Sequence, residues 1–127
     1  MIRKRKELMI PVYMINGFLD SGKTEFIQYT IAQPYFQMRA KTLLIVCEEG
    51  DIEYDQALLK KSRTVMELIE DEDDFTAQNL IDLEKKHKPA RILIEFNGMW
   101  NSKNVKLPWH WKLEQQITCI DGSTFST

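Results

Sequence analysis

The sequence predicts an α/β fold, a mostly parallel central sheet flanked by helices in three layers. Three observations lead there. Apolar runs at residues 12–15, 42–47 and 92–94 show no alternation of polar and apolar residues, as expected of strands covered on both faces. Segments of helical character separate these runs, and that order packs helices against both faces of a parallel sheet. Between the first run and the first helical segment, residues 17–24, Gly-Phe-Leu-Asp-Ser-Gly-Lys-Thr, fit the spacing G-x-x-x-x-G-K-[ST].

Pro11 marks the start of the first strand, because a central strand tolerates proline only at its beginning. The first helix is expected from about residue 23 to residue 32, with Phe26, Ile27, Thr30 and Ile31 on its inward stripe. Pro34 stops it, since the residue before a proline avoids the α region. Residues 42–47 form the second strand, which runs into Glu48, Glu49, Gly50 and Asp51, and a short helix follows over residues 56–61. Residues 64–68 fit a short strand and a helical turn equally well. The acidic run at residues 70–74 reads as a solvated loop in which Asp73 or Asp74 caps the next helix. Its oxygen ligands also suit a hard-cation site. Residues 76–88 are expected to be helical, with Lys85, Lys86, His87 and Lys88 at the negative end and Pro89 as terminator. Residues 91–96 are the third clear strand. Residues 101–112 read as a loop broken by Pro108. Its tryptophans, with Trp100, either cover the core or form a partner surface, and His110 has no ligand-type neighbour in sequence. Residues 117–121 read as a further strand.

The motif at residues 17–24 carries chemistry. It is a phosphate-binding P-loop in its strand–loop–helix setting, so the fold class is that of a P-loop nucleoside triphosphatase. Gly17 and Gly22 let backbone N–H groups turn inward around phosphate oxygens. The helix N-terminus beneath adds partial positive charge. Lys23 brings a full charge to the β/γ-phosphates and Thr24 a hydroxyl for Mg²⁺. Glu95 closes the third apolar strand, the position of a Walker B carboxylate that holds Mg²⁺ directly or through water. The cofactor-binding set is thus Gly17, Asp20, Ser21, Gly22, Lys23, Thr24 and Glu25, and the metal set is Thr24 and Glu95.

A length of 127 residues predicts one domain, residues 1–127, with a flexible basic leader over residues 1–8. A net charge of −2 argues against a general nucleic-acid binder. No apolar run is long enough to span a membrane, and the basic start lacks the apolar length and cleavage site of a signal peptide. Cys47 and Cys119 lie in apolar runs and read as buried thiols, which predicts a cytoplasmic protein.

Residues 11–24, Pro-Val-Tyr-Met-Ile-Asn-Gly-Phe-Leu-Asp-Ser-Gly-Lys-Thr, resemble the opening motif of the CobW-like P-loop GTPases, relatives of HypB and UreG. Residues 44–55 resemble that family's second strand and N-E-F-G-x-x-x-x-D segment, with Glu48, Gly50 and Asp55 at matching positions. Residues 92–98 resemble its I-[hydrophobic]-E-[TS]-[TS]-G, with Glu95 and Gly98 retained, and residues 117–125 its next strand. The resemblance implies GTP as nucleotide (ATP remains open), Mg²⁺ as cofactor, slow hydrolysis, and service to a metalloprotein or other client. It implies catalytic roles for Lys23, Glu48 and Asp55. The chain departs from the family at Asp20, where glycine is usual, at Glu25, where a second threonine is usual, and at residues 68–75, where an acidic run replaces C-x-C-C. The guanine-reading [NT]-K-x-D lies beyond Asp121 in the family, so the chain is expected to be the N-terminal part of a longer G domain.

Two other readings compete. One is a degenerate nucleotide-binding or partner-docking module without turnover. The other is a P-loop kinase, for which no lid or acceptor signature is visible.

Overall fold

The structure is a computed structural model. It describes residues 9–16, 23–34, 41–47, 54–97, 99–100, 105–119 and 125–126. The expected leader at residues 1–8 lies outside them.

The apolar runs become strands: β1 (Ile10–Asn16), β2 (Thr42–Val46), β3 (Thr64–Leu68), β4 (Arg91–Glu95) and β5 (Trp111–Cys119), with a short β6 (Phe125–Ser126). They form one sheet in the order β3-β2-β4-β1-β5-β6. Pairings among β1 to β5 are parallel, and only β6 runs antiparallel, beside β5. The expected α/β architecture is therefore present. The helices are α1 (Lys23–Ile31), α2 (Gln56–Lys61) and α3 (Ala77–His87). None of the described helices is long and apolar enough to cross a membrane.

Apolar side chains divide between the two faces of the sheet. On one face Val12, Met14, Leu43, Ile45, Ile92 and Ile94 pack with Leu80 of α3. On the other Ile15, Leu44, Val46 and Leu93 pack with Ile27 and Ile31 of α1 and Leu59 of α2. All five residues of β2 are buried, which explains its unbroken apolar run. The Cys47 thiol is buried at its end.

One open reading is decided and two expectations are corrected. The ambiguous residues 64–68 are a strand, paired in parallel with all of β2. The cap of α3 is Thr76, whose hydroxyl accepts from the Asn79 amide at 3.2 Å, and neither Asp73 nor Asp74. Phe75 must reach the core, which holds the acidic run one step too early to cap α3. Asp71 instead caps a 3-10 turn at Glu72–Asp74. Finally, β5 begins at Trp111, six residues before the expected start. Its first half carries exposed Lys112, Glu114, Gln115 and Gln116. A register shift opposite Val12 and Tyr13 leaves Glu114 as the extra residue of a bulge.

Two of the tryptophans cover the core, as one of the two readings expects, and the third does not. Trp111 is buried in the core, Trp100 packs edge-on against Phe75 and Phe96, and Trp109 is exposed.

Candidate functional site

The sheet order creates the site. The chain leaves β1, places β2 and β3 two and three positions away, and returns to insert β4 next to β1. Ile15 of β1 stands opposite Glu95 of β4, and Val46 of β2 faces Glu95 from the other side. Backbone bonds fix these ends: Phe96 N donates to Ile15 O at 2.8 Å and Cys47 N to Glu95 O at 2.9 Å. The C-terminal edge of such a sheet, where strand order reverses, is where ligands bind in this architecture.

Glu95 is only 1 % exposed. A carboxylate this deep requires hydrogen-bond donors. Thr24, in the first turn of α1, donates from Oγ1 to Oε1 at 2.7 Å. Tyr54, just ahead of α2, donates its hydroxyl to Oε2 at 3.1 Å. Burial, and then the negative charge of Glu95, push the Tyr54 phenol far above its usual range. The phenol therefore stays protonated and can act toward the carboxylate only as a donor.

Thr24 and Glu95 thus meet, as the sequence spacing requires. A hydroxyl oxygen and a carboxylate oxygen beside a helix N-terminus are the hard donors that Mg²⁺ takes, and the pair fits that ion. Asn16 Oδ1, buried at the end of β1, has no hydrogen-bond partner among the described residues.

The structure describes two more of the expected residues, Asp55 and Glu25. Asp55 caps α2, its Oδ1 accepting from the amides of Ala57 at 3.0 Å and Leu58 at 3.2 Å. Its own amide donates to Gln28 Oε1 of α1 at 2.8 Å. Glu25 is exposed in the first turn of α1. Gly17, Asp20, Ser21, Gly22 and Glu48 lie outside the described residues, as does the side chain of Lys23, whose backbone opens α1.

Residues 11–127 match the family model of the CobW/HypB/UreG nucleotide-binding domain. The chain belongs to that family. No curated protein and no solved structure matches it. As a CobW/HypB/UreG nucleotide-binding domain it takes a nucleotide as ligand.

Two groups in this CobW/HypB/UreG domain escaped the sequence reading. Tyr54 is one; its only local sign is a lone aromatic ahead of a helix cap. The other joins α3 to the start of β5: Glu84 Oε1 accepts from His110 Nε2 at 2.6 Å and from Trp111 Nε1 at 2.8 Å. Among the described residues no group of three or more His, Cys, Asp or Glu could hold a metal ion. A cavity of about 400 Å³ between α1 and the sheet, lined by Tyr13, Phe26, Thr30, Arg91 and Gln115, includes none of Thr24, Tyr54 or Glu95.

Proposed function

We propose that the chain binds a nucleoside triphosphate, GTP, together with Mg²⁺ and hydrolyses it slowly. The observation that carries this is the 2.7 Å hydrogen bond between Thr24 and the buried Glu95. It joins the last residue of the phosphate-loop motif to the carboxylate that closes β4. In this reading Lys23 and the loop amides at Gly17, Asp20, Ser21 and Gly22 bind phosphate oxygens, aided by the N-terminus of α1. Thr24 and Glu95 hold Mg²⁺, which when bound draws charge from the β- and γ-phosphate oxygens. Glu48 and Asp55 position metal and water beside the γ-phosphate, and Asp55 also caps α2. Phosphoryl transfer here is positioning plus electrostatics, because no nucleophilic side chain is required. The cycle serves a metalloprotein or other client in the cytoplasm, a reading supported by the family membership and by the buried thiol of Cys47.

Binding without turnover is the second reading. It is favoured by Glu25, whose exposed carboxylate sits in the first turn of α1, where a bound phosphate would meet it. Calorimetric titration with GTP, ATP and their diphosphates, with phosphate release measured alongside, separates the two. We expect GTP to bind with Mg²⁺ and Lys23→Ala to abolish binding. Failure of every triphosphate to bind refutes both readings. Preference for ATP refutes the guanine assignment, and binding without phosphate release favours the second reading.

A further inference from the structure

The carboxylate of Glu95 is gripped from both sides. Thr24 of α1 holds Oε1, and Tyr54 holds Oε2. The Tyr54 ring packs with Ile15, Ile27, Val46 and Leu59 in the core beneath α1 and α2. A phenylalanine would fill that space equally well without adding a hydroxyl to be desolvated. The hydroxyl is therefore not explained by packing; its partner is Glu95, 41 residues further along the chain. The next residue, Asp55, caps α2 with its side chain and reaches α1 through its amide.

We propose that Tyr54 is a positioning residue. Its hydroxyl fixes the Glu95 carboxylate for the Mg²⁺-bound nucleotide and couples occupancy of that position to the start of α2. The inference rests on the nucleotide reading above. A carboxylate can rotate about its last side-chain bond, and that torsion is soft. With Tyr54 on Oε2, Oε1 stays aimed at Thr24 and the α1 N-terminus, where the cation belongs. When Thr24 turns a lone pair to the cation, Tyr54 is the remaining described donor that keeps Oε1 on that side. Any shift of the carboxylate pulls on Tyr54, and Tyr54 is covalently joined to the residue that caps α2.

The test uses the full chain and the triphosphate that the wild type binds, GTP or ATP in non-hydrolysable form. Dissociation constants are measured with excess Mg²⁺ and with chelator, for wild type and Tyr54→Phe. We expect the affinity in chelator to be unchanged and the gain conferred by Mg²⁺ to fall about tenfold, the scale of one hydrogen bond to a charged group. Hydrogen exchange supplies a second readout. Adding Mg²⁺ and nucleotide should protect the amides of Ala57 and Leu58 in wild type but not in Tyr54→Phe. Affinity in chelator equal to that of wild type shows in the same titration that Tyr54→Phe is folded, so a lost Mg²⁺ gain is read against intact phosphate binding.

An equal loss of affinity with and without Mg²⁺ overturns the proposal, because it shows a purely structural role. An unchanged Mg²⁺ gain with unchanged protection also overturns it, while leaving the nucleotide reading standing. Absence of triphosphate binding by the wild type overturns both.

Discussion

Thr24→Ala tests the centre of the site. The substitution removes the donor that sits 2.7 Å from Glu95 Oε1 and leaves one oxygen of a nearly fully buried carboxylate without it. A hydrogen bond to a charged group contributes about 1.5–3 kcal/mol net. Alanine recovers about 0.5 kcal/mol through its better helix propensity in α1. The net loss is therefore about 1–2.5 kcal/mol, and at roughly 4 °C per kcal/mol for a domain of this size the melting temperature should fall by about 4–10 °C. Thr24→Ser keeps the hydroxyl and should lose little. The same pair of variants should separate in nucleotide binding. Titrated with GTP, the alanine variant should bind no better with Mg²⁺ than with chelator, whereas the serine variant should keep the difference. Thermal melts and calorimetry on the three proteins suffice. An alanine variant that melts like the wild type refutes the energetic argument; one that keeps its Mg²⁺ dependence refutes the assignment of Thr24 to the metal.

Two further predictions concern the scaffold. The Glu67 carboxyl is held below its ordinary value of 4.5 by its hydrogen bond from His87, with help from Lys86. A depressed carboxyl contributes stability that is present above 4.5 and lost as pH falls through the folded value. Urea unfolding should thus show wild type more stable than Glu67→Gln at neutral pH, with the gap closing in acid; a gap independent of pH contradicts this. Leu80 is fully buried at the α3 interface, so Leu80→Ala should cost about 2–5 kcal/mol in urea unfolding. A cost below 1 kcal/mol, on the order of a surface substitution, would falsify its placement in the core.

The legible and illegible parts of the fold differ for physical reasons. β2 and β4 announce themselves because helices cover both their faces, and the sequence there is continuously apolar. β3 is an edge strand whose Glu67 turns to His87, so its period reads as neither helix nor strand. β5 hides its first half because Lys112, Glu114, Gln115 and Gln116 meet solvent and a bulge breaks the period of two. At the site, Thr24 and Glu95 are legible because each sits in a motif with fixed spacing. Asp55 is legible as a residue of interest, but its visible work is local, capping α2 two and three residues on. Tyr54 is invisible because its meaning lies in one contact across 41 residues, and no pattern near it in the chain encodes that distance.

Glu95 gives the strongest reason to regard this edge as functional. β4 reaches it through Ile92, Leu93 and Ile94, all buried, and an apolar residue at position 95 would continue that packing. Taking a carboxylate out of water costs several kcal/mol even after relaxation. The protein offsets that cost by bringing hydroxyls from two separate segments, the first turn of α1 and the residue ahead of the α2 cap. Such convergence on one buried charge does little for stability that a leucine would not do better. It is understandable if the charge is retained for a ligand, since local rules of packing are broken chiefly at functional sites. The sheet order supports the same conclusion independently. Inserting β4 between β1 and β2 places Glu95 between Ile15 and Val46, at the reversal point of the sheet and two residues from where the phosphate loop leaves β1. Had β4 joined the sheet beyond β3, it would stand three positions from β1, with β2 and β3 between them, and Thr24 could not reach Glu95.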